Sequence, residues 1–180
     1  MSSLERAISI PIRNTDDVVV VKVSDLGETD VNDLLELLMA ELAPLEVWHD
    51  FAVEYYRQGN VDSFLAILES GTDKEIDRVY PGEENFKGRI SILNTLAAYY
   101  TQAAVREKDK TEKDQLFGRA ASFYTMSDKI DIHEQSTWVG KGTFRVRRGP
   151  GERGCGRAEG EPLWRARNAS RASFLPRPRR

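Results

Sequence analysis

The stretch W-H-D-F-A-V-E-Y-Y-R-Q-G, running from Trp48 to Gly59, decides how this chain is interpreted. Its apolar residues Trp48, Phe51, Ala52 and Tyr55 occupy relative positions 0, 3, 4 and 7, which lie on one face of a helix. The aromatic side chains can fill the space between two paired helices, and the alanine lets a partner backbone approach. Gly59 is suited to the turn that follows. The stretch therefore predicts the first helix of a packed helical pair.

The same offsets return twice further along the chain. The second copy lies forty-five residues later and consists of Leu93, Leu96, Ala97 and Tyr100. A third copy begins after the same interval with Trp138 and Gly142, although Lys141 and Arg145 stand where an apolar residue and a tyrosine are expected. This recurrence is typical of tetratricopeptide (TPR) repeats, each of which is a pair of antiparallel helices.

Second-helix positions follow at the TPR spacing of four residues. They are Phe64 and Leu68 in the first repeat and Ala120 and Tyr124 in the second. Two different insertions explain the long period, because both the link between the repeats and the second hairpin are eleven residues longer than a TPR needs. A HEAT repeat has a suitable period of about 40–47 residues, but it does not predict this pattern of large and small residues in each helix.

The predicted fold is therefore all-α, a TPR-type antiparallel helix-hairpin solenoid with two repeats and a broken third. Residues 1–28 form an extended arm, 29–142 the helical domain and 143–180 a disordered tail rich in Arg, Gly and Pro. Expected helices run over residues 31–42, 45–58, 61–69, 84–108, 115–131 and 133–142. Between the last two long helices, residues 106–114 are predicted to be a solvated helix extension. We also expect deletion of residues 143–180 to leave the melting temperature nearly unchanged.

One short strand is expected in the arm, at Val18–Val23. It either packs on the first helix or presents an edge that a partner chain could extend. At the other end, no helix is expected to follow Gly142. The apolar face of the preceding helix, formed by Phe117, Ala121, Tyr124 and Met126, should then be only partly covered, with a tendency to associate.

Charge divides the chain into two parts. Residues 1–142 hold 15 Lys and Arg against 26 Asp and Glu, whereas residues 143–180 hold 11 Arg, no Lys and 3 Glu. The acidic body argues against specific nucleic-acid binding, while the tail could bind RNA or DNA weakly and without specificity. Cys155 has no second cysteine to pair with, which suits a reducing compartment. Neither a signal peptide nor a membrane span is expected, because no apolar run approaches the required length.

No combination of residues predicts catalysis or a metal or cofactor site. His49 and His133 are 84 residues apart, and His49 is expected to be a surface side chain. Residues 73–77 alternate acidic side chains without the closing glutamate of a calcium loop. The glycine-rich stretch 149–156 lacks the lysine of a phosphate-binding loop. Cys155 has no histidine near it in sequence. The chain is therefore expected to be neither an enzyme nor a cofactor protein.

Five segments together resemble one family, the large TPR scaffold subunit of the RNA polymerase II-associated factor (PAF) complex, most closely its plant form. They are I-P-I-R-N-T-D-D-V (10–18), A-P-L-E-V-W (43–48), E-Y-Y-R-Q-G (54–59), L-N-T-L-A-A-Y-Y (93–100) and Y-T-M-S-D-K-I (124–130). The resemblance covers about residues 7–142 and stops at Gly142, which implies a truncated form or an N-terminal fragment. It implies a nuclear, non-enzymatic scaffold that contacts other PAF-complex subunits and RNA polymerase II during transcription elongation and histone modification.

Two other functions remain open at this stage. A TPR adaptor of the co-chaperone type would need a basic clamp on the inner helices, where this chain instead has Asp50, Glu54, Asn94 and Thr95. The other is non-specific nucleic-acid binding through the tail, in which Trp164 could stack on a base.

Overall fold

The structure is a computed structural model that describes residues 6–149, apart from the side chains of Lys74, Glu75, Asp77 and Glu84. It is mainly helical, which confirms the predicted fold class. Short 3-10 turns at Val23–Gly27 and Glu83–Asn85 connect some of the elements. In chain order the elements are β1 (Ala7–Pro11), β2 (Val18–Lys22), α1 (Val31–Ala40), α2 (Leu45–Arg57), α3 (Val61–Ser70), α4 (Lys74–Val79), α5 (Phe86–Arg106), α6 (Lys110–Ile130) and α7 (Gln135–Arg148).

Short polar residues begin several of these helices. The carboxylate of Asp30 accepts a hydrogen bond from the backbone N–H of Asn32 at the start of α1, and Asn60 caps α3 in the same way. Each cap satisfies a backbone donor that the helix itself leaves without a partner. Between α2 and α3, Gly59 adopts a φ of +83°, a conformation that glycine enters without steric cost. Local sequence therefore sets the tight α2–α3 hairpin.

The N-terminal arm is a β-hairpin, so the prediction of one unpaired strand was incomplete. β1 and β2 pair antiparallel, with Ile10 opposite Val19. The face that carries Ile10 packs into the core, while Val18 and Val20 lie on the exposed face. Pro11 concealed β1 in the sequence because proline usually interrupts a strand. In this register Pro11 occupies a pair without backbone hydrogen bonds, where its missing N–H is tolerated.

The helices stack as hairpins. α2 pairs with α3 and α5 with α6, while α2, α5 and α7 lie side by side as the inner helices and α3 and α6 form the outer layer. Contacts between successive inner helices give the solenoid its continuous core. Residues 107–109 of the predicted extension form the hairpin turn, and residues 110–114 are the first, largely exposed part of α6. α5 ends at Arg106, and Asp109 caps α6 by accepting from the N–H of Glu112.

α7 continues to Arg148, six residues past the predicted end of the helical domain at Gly142. Neither proline nor glycine occurs between Thr143 and Arg148, so nothing in that stretch stops the helix. Gly149, with a φ of +82°, follows the last turn. The predicted tail therefore starts six residues too early. Its remainder, with Cys155 and Trp164, lies outside the described residues.

The extra length of α7 also corrects the prediction of an incompletely covered face on α6. Phe144 packs edge-on against Phe117 and Tyr124, with ring centroids 5.8 and 5.9 Å apart. Phe117 and Tyr124 are consequently buried, whereas Met126 is exposed, so the prediction of a partly covered face holds at that residue. Within the described part of the chain, no helix is long and apolar enough to cross a membrane.

Candidate interaction surface

The first repeat motif lies in the core. Trp48, Phe51, Ala52 and Tyr55 are fully buried between α2 and its neighbours. The indole N–H of Trp48 donates to the carbonyl of Ala43 at 3.1 Å, so this large side chain leaves no buried donor unpaired. The motif residues therefore pack one face of α2 into the core, and the opposite face of α2 is available for contacts.

The second motif has the same placement in α5. Leu93, Leu96, Ala97 and Tyr100 are buried, as are the two second-helix positions Ala120 and Tyr124 on α6. The hydroxyl of Tyr100 donates to the carboxylate of Glu69 on α3 at 2.7 Å and accepts from Arg119 on α6 at 3.2 Å. Burial, together with the hydrogen bond and charge of Glu69, raises the pKa of Tyr100 to about 12. One phenol thus connects three helices.

The third motif is only partly buried. Trp138 is 63% exposed and Gly142 is exposed, whereas Thr137 is fully buried. Gly140 faces the ring of Tyr124, where an added Cβ would come within 2.7 Å of a ring carbon. Thr137 lies forty-five residues after Ile92 of α5, which is also fully buried, so the same side of the inner helix packs on its neighbours in both copies.

Polar side chains link successive inner helices at equivalent positions. His49 follows the first residue of the first motif on α2, and its ring contacts the hydroxyl of Thr95 on α5 at 2.9 Å. Asn94 follows the first residue of the second motif on α5, and its side-chain amide donates to the hydroxyls of Ser136 and Thr137 on α7, both at 3.0 Å. Burial lowers the pKa of His49, with Asp50 opposing the shift. His49 is thus a half-buried helix link, not the freely exposed side chain that was expected.

Glu54 is one of the acidic residues on the inner helices, and its charge is neutralised within the fold. It is only 7% exposed and accepts from the guanidinium of Arg6 at 2.9 Å, while Arg57 pairs with the same carboxylate. Arg6 precedes β1, so this carboxylate fastens the β-hairpin to α2. Because Arg6 and Arg57 both pair with the buried carboxylate of Glu54, they do not form a basic clamp for a carboxylate ligand.

A groove crosses the inner helices beside these links. It consists of two adjoining depressions of 160 and 210 Å³, which share Ala98 and Gln102 on α5. We call it the inner groove, and its walls are formed by Val53, Tyr56, Phe64, Thr95, Tyr99, Thr101, Tyr124, Gly140, Thr143 and Arg147. The rings of Tyr56, Phe64 and Tyr99 contact one another with centroids 4.9–6.5 Å apart. An aromatic floor with a few polar groups is suited to binding a peptide segment.

Within residues 6–149, no group of three His, Cys, Asp or Glu side chains is arranged to hold a metal ion. His133 is exposed, and its backbone N–H donates to Asp131 at 2.8 Å. It lies in the turn between α6 and α7, far along the chain from His49. The arrangement that the structure does display is a set of stacked helices with a groove.

Comparison with known proteins places this arrangement in a family. The chain is 39% identical over 143 residues to the protein CTR9 homolog of Arabidopsis thaliana, covering 79% of this chain and 13% of that protein. It is 36% identical over 133 residues to the RNA polymerase-associated protein CTR9 of Caenorhabditis elegans, covering 73% and 11%. The chain is a partial-length member of the CTR9 family.

A fission-yeast relative has a name that agrees with the fold. Over 145 residues the chain is 28% identical to tetratricopeptide repeat protein 1 of Schizosaccharomyces pombe, which covers 78% of the chain and 13% of that relative. No family model matches the chain. The chain spans about an eighth of the length of these three relatives. The resemblance inferred from the sequence is thereby confirmed for this portion.

Proposed function

We propose that this chain is a protein-binding scaffold segment that acts with RNA polymerase II in the nucleus, within the PAF complex. Its role there would be in transcription elongation and co-transcriptional histone modification, without catalysis of its own. The observation that carries the proposal is the similarity to a relative named for its association with RNA polymerase, over most of this chain. The stacked helices supply the form that such a role needs, because a solenoid presents an extended surface to partners.

The inner groove is the surface that we assign to partner binding. Its aromatic floor of Tyr56, Phe64 and Tyr99 gives apolar contact area, and the amide of Gln102 in its lining can form hydrogen bonds. Aromatic side chains contribute much of the energy at protein interfaces. The co-chaperone alternative gains no support, since Arg6 and Arg57 are already paired with Glu54.

A charge placed in the groove tests the assignment. The full chain, tagged and added to nuclear extract, is expected to recover RNA polymerase II and PAF-complex subunits, identified by mass spectrometry. Ala98→Arg should abolish that recovery, because Ala98 is exposed at the junction of the two depressions. The matched control is Ala40→Arg, which makes the same change at an exposed position at the end of α1.

Three results would count against the proposal. If Ala98→Arg and the parent chain recovered the same amount of partner, the inner groove would not be the binding surface. Recovery chiefly of heat-shock chaperones, displaced by their own C-terminal peptide, would favour the adaptor function. Failure of the folded parent chain to recover any polymerase-associated protein would contradict the scaffold role for this segment. Binding of RNA by the tail stays a separate prediction, tested by its sensitivity to salt.

A further inference from the structure

The outer edge of strand β2 is a surface that the helical stack leaves open. β1 packs against α2 and buries Ile10, whereas Val18 and Val20 of β2 are 53 and 57% exposed. The hairpin lies at the α2 end of the stack and is separated from α7 by α5. Helices that continue the stack beyond α7 are added at the other end, so the exposure of β2 belongs to the hairpin itself.

The register shows which backbone groups lie at this edge. The backbone N–H of Ile12 donates to the carbonyl of Asp17 at 3.0 Å, and six residues later the N–H of Val23 bonds across the hairpin in the same way. Hydrogen-bonded and non-hydrogen-bonded residues alternate along an antiparallel ladder. Val18 and Val20 therefore belong to pairs without hydrogen bonds, and their N–H and C=O groups point away from β1.

The two edges of the hairpin differ in their protection. On the β1 edge, Pro11 has no N–H to offer, and α2 lies beside the strand. Proteins usually block an exposed edge with proline, with charged side chains or with a covering element, because an open edge pairs with other strands. β2 contains no proline, and its one lysine, Lys22, stands at the last position. The preceding positions are β-branched valines, which favour strand pairing.

We propose that the outer edge of β2 binds an extended segment of a partner protein, which adds a third strand to the hairpin. The outward backbone groups of Val18 and Val20 form hydrogen bonds with the segment, and its side chains pack beside the two exposed valines. Strand addition of this kind draws affinity from main-chain hydrogen bonds and specificity from alternate side chains. We assign the antiparallel direction, which is the commoner and slightly more stable form of pairing.

Charge defines the chemistry of the partner segment. Asp16 and Asp17 are exposed and directly precede β2. An antiparallel segment ends beside these two carboxylates, so basic residues at its C-terminal end pair with them. Before that end, the segment carries β-branched side chains at alternate positions, where they contact Val18 and Val20. The partner segment is therefore a strand-forming peptide with a basic C-terminal end.

Two occupants from this chain fit the edge less well. Residues 1–142 hold 15 Lys and Arg against 26 Asp and Glu, so the acidic bodies of two copies repel each other. Residues 150–180 are basic, but they contain no Val, Ile or Thr, the β-branched residues that such a strand needs. A separate protein with a basic, strand-forming segment meets both requirements.

Proline substitutions at one cross-strand pair test the proposal in the full chain. Ser9 lies opposite Val20 in a pair without hydrogen bonds, so proline at either position leaves the ladder of the hairpin intact. Val20→Pro removes an N–H from the outer edge of β2, whereas the matched control Ser9→Pro removes one from the β1 edge. Val20→Thr keeps both the N–H and the β-branched shape. Circular dichroism checks that each variant is folded.

The probe is a synthetic peptide with capped ends and the sequence T-V-T-V-T-V-T-K-K, added to the isotope-labelled chain and followed by NMR. The amide signals of Val18 and Val20 should shift to saturation at peptide concentrations up to about 5 mM. Val20→Pro should raise the dissociation constant at least about tenfold, whereas Ser9→Pro and Val20→Thr should keep it within about twofold of the parent value. Exchanging the two lysines of the peptide for glutamates should raise it about threefold or more.

The results that overturn the proposal are distinct from one another. They include the absence of a saturable shift at β2 and equal weakening of binding by Ser9→Pro and Val20→Pro. Shifts of Val18 and Val20 that depend on chain concentration without peptide would assign the edge to a second copy. Ala98→Arg should bind the peptide as the parent does, because this inference does not rest on the inner groove. Loss of peptide binding in that variant would place the peptide in the groove instead.

Discussion

Gly88 on α5 provides the most sensitive test of how the two hairpins pack. A Cβ at this buried position would lie 2.8 Å from the backbone nitrogen of Glu46, 2.9 Å from the Cβ of Leu45 and 3.0 Å from its carbonyl carbon. Two of these three atoms are backbone, so a change of side-chain rotamer cannot relieve the contacts. Gly88→Ala must therefore move α5 away from the start of α2.

The expected loss follows from two opposing terms. Overpacking of a rigid site costs about 2–3 kcal/mol, in the upper part of the usual range because backbone must move. Alanine returns about 1 kcal/mol of helix propensity. Gly88→Ala should therefore lower the free energy of unfolding by about 1–2 kcal/mol. Gly118→Ala is the matched control, and it should raise that free energy by up to about 1 kcal/mol, because its Cβ meets nothing.

Urea denaturation followed by far-ultraviolet circular dichroism measures both variants against the parent chain. The two midpoints should move in opposite directions at an unchanged slope. If Gly88→Ala proved as stable as Gly118→Ala, the close approach between α5 and α2 would be wrong. The stacking of the first two hairpins would then need another contact.

Three further predictions concern the core, the pH response and the end of the solenoid. Trp48→Ala should lower the free energy of unfolding by about 3–5 kcal/mol in the same assay, because the side chain is fully buried; a loss below 1 kcal/mol would contradict its placement. The raised pKa of Tyr100, about 12 against 10.0, means that its contribution is complete below pH 10 and is lost as the pH rises towards 12. Alkaline titration should thus lower the free energy of unfolding of the parent by about 2.7 kcal/mol more than that of Tyr100→Phe, and equal curves would refute this. Thermal melting should show a chain ending at Gly142 to be less stable than one ending at Gly149, because only the longer chain keeps Phe144 on Phe117 and Tyr124; equal melting temperatures would restore the earlier expectation that the tail begins at residue 143.

The sequence was informative wherever spacing alone determined packing. Trp48 and Tyr55 on α2, like Leu96 and Tyr100 on α5, are buried because residues seven or four apart share one helical face. The cap at Asp30 was likewise predictable, since a short polar side chain before an apolar periodic run is a local signal.

Features that depend on tertiary contacts were missed. β1 is stable as a strand because β2 and the core cover it, and its own residues with Pro11 give little local indication of that. The burial of Thr137, the residue before the third motif, was not predicted, because threonine is mostly exposed in proteins. Thr137 can occupy a core position only because Asn94 and Ser127 satisfy its hydroxyl, and no spacing rule reveals such partners.

The way in which α7 is attached has a consequence for the order in which the molecule opens. α7 contacts the solenoid through the hydrogen bonds of Thr137, the ring of Phe144 and the ion pair of Lys141 with Asp128 on α6. Hydrogen bonds between hydroxyl and amide groups exchange for bonds to water with little net change in free energy. Detaching α7 should therefore require less energy than unfolding the α5–α6 hairpin, and its backbone amides should exchange with deuterium first. The third inner helix then acts as the fraying end of the stack, and any contact that covers it shifts that local equilibrium towards the closed form.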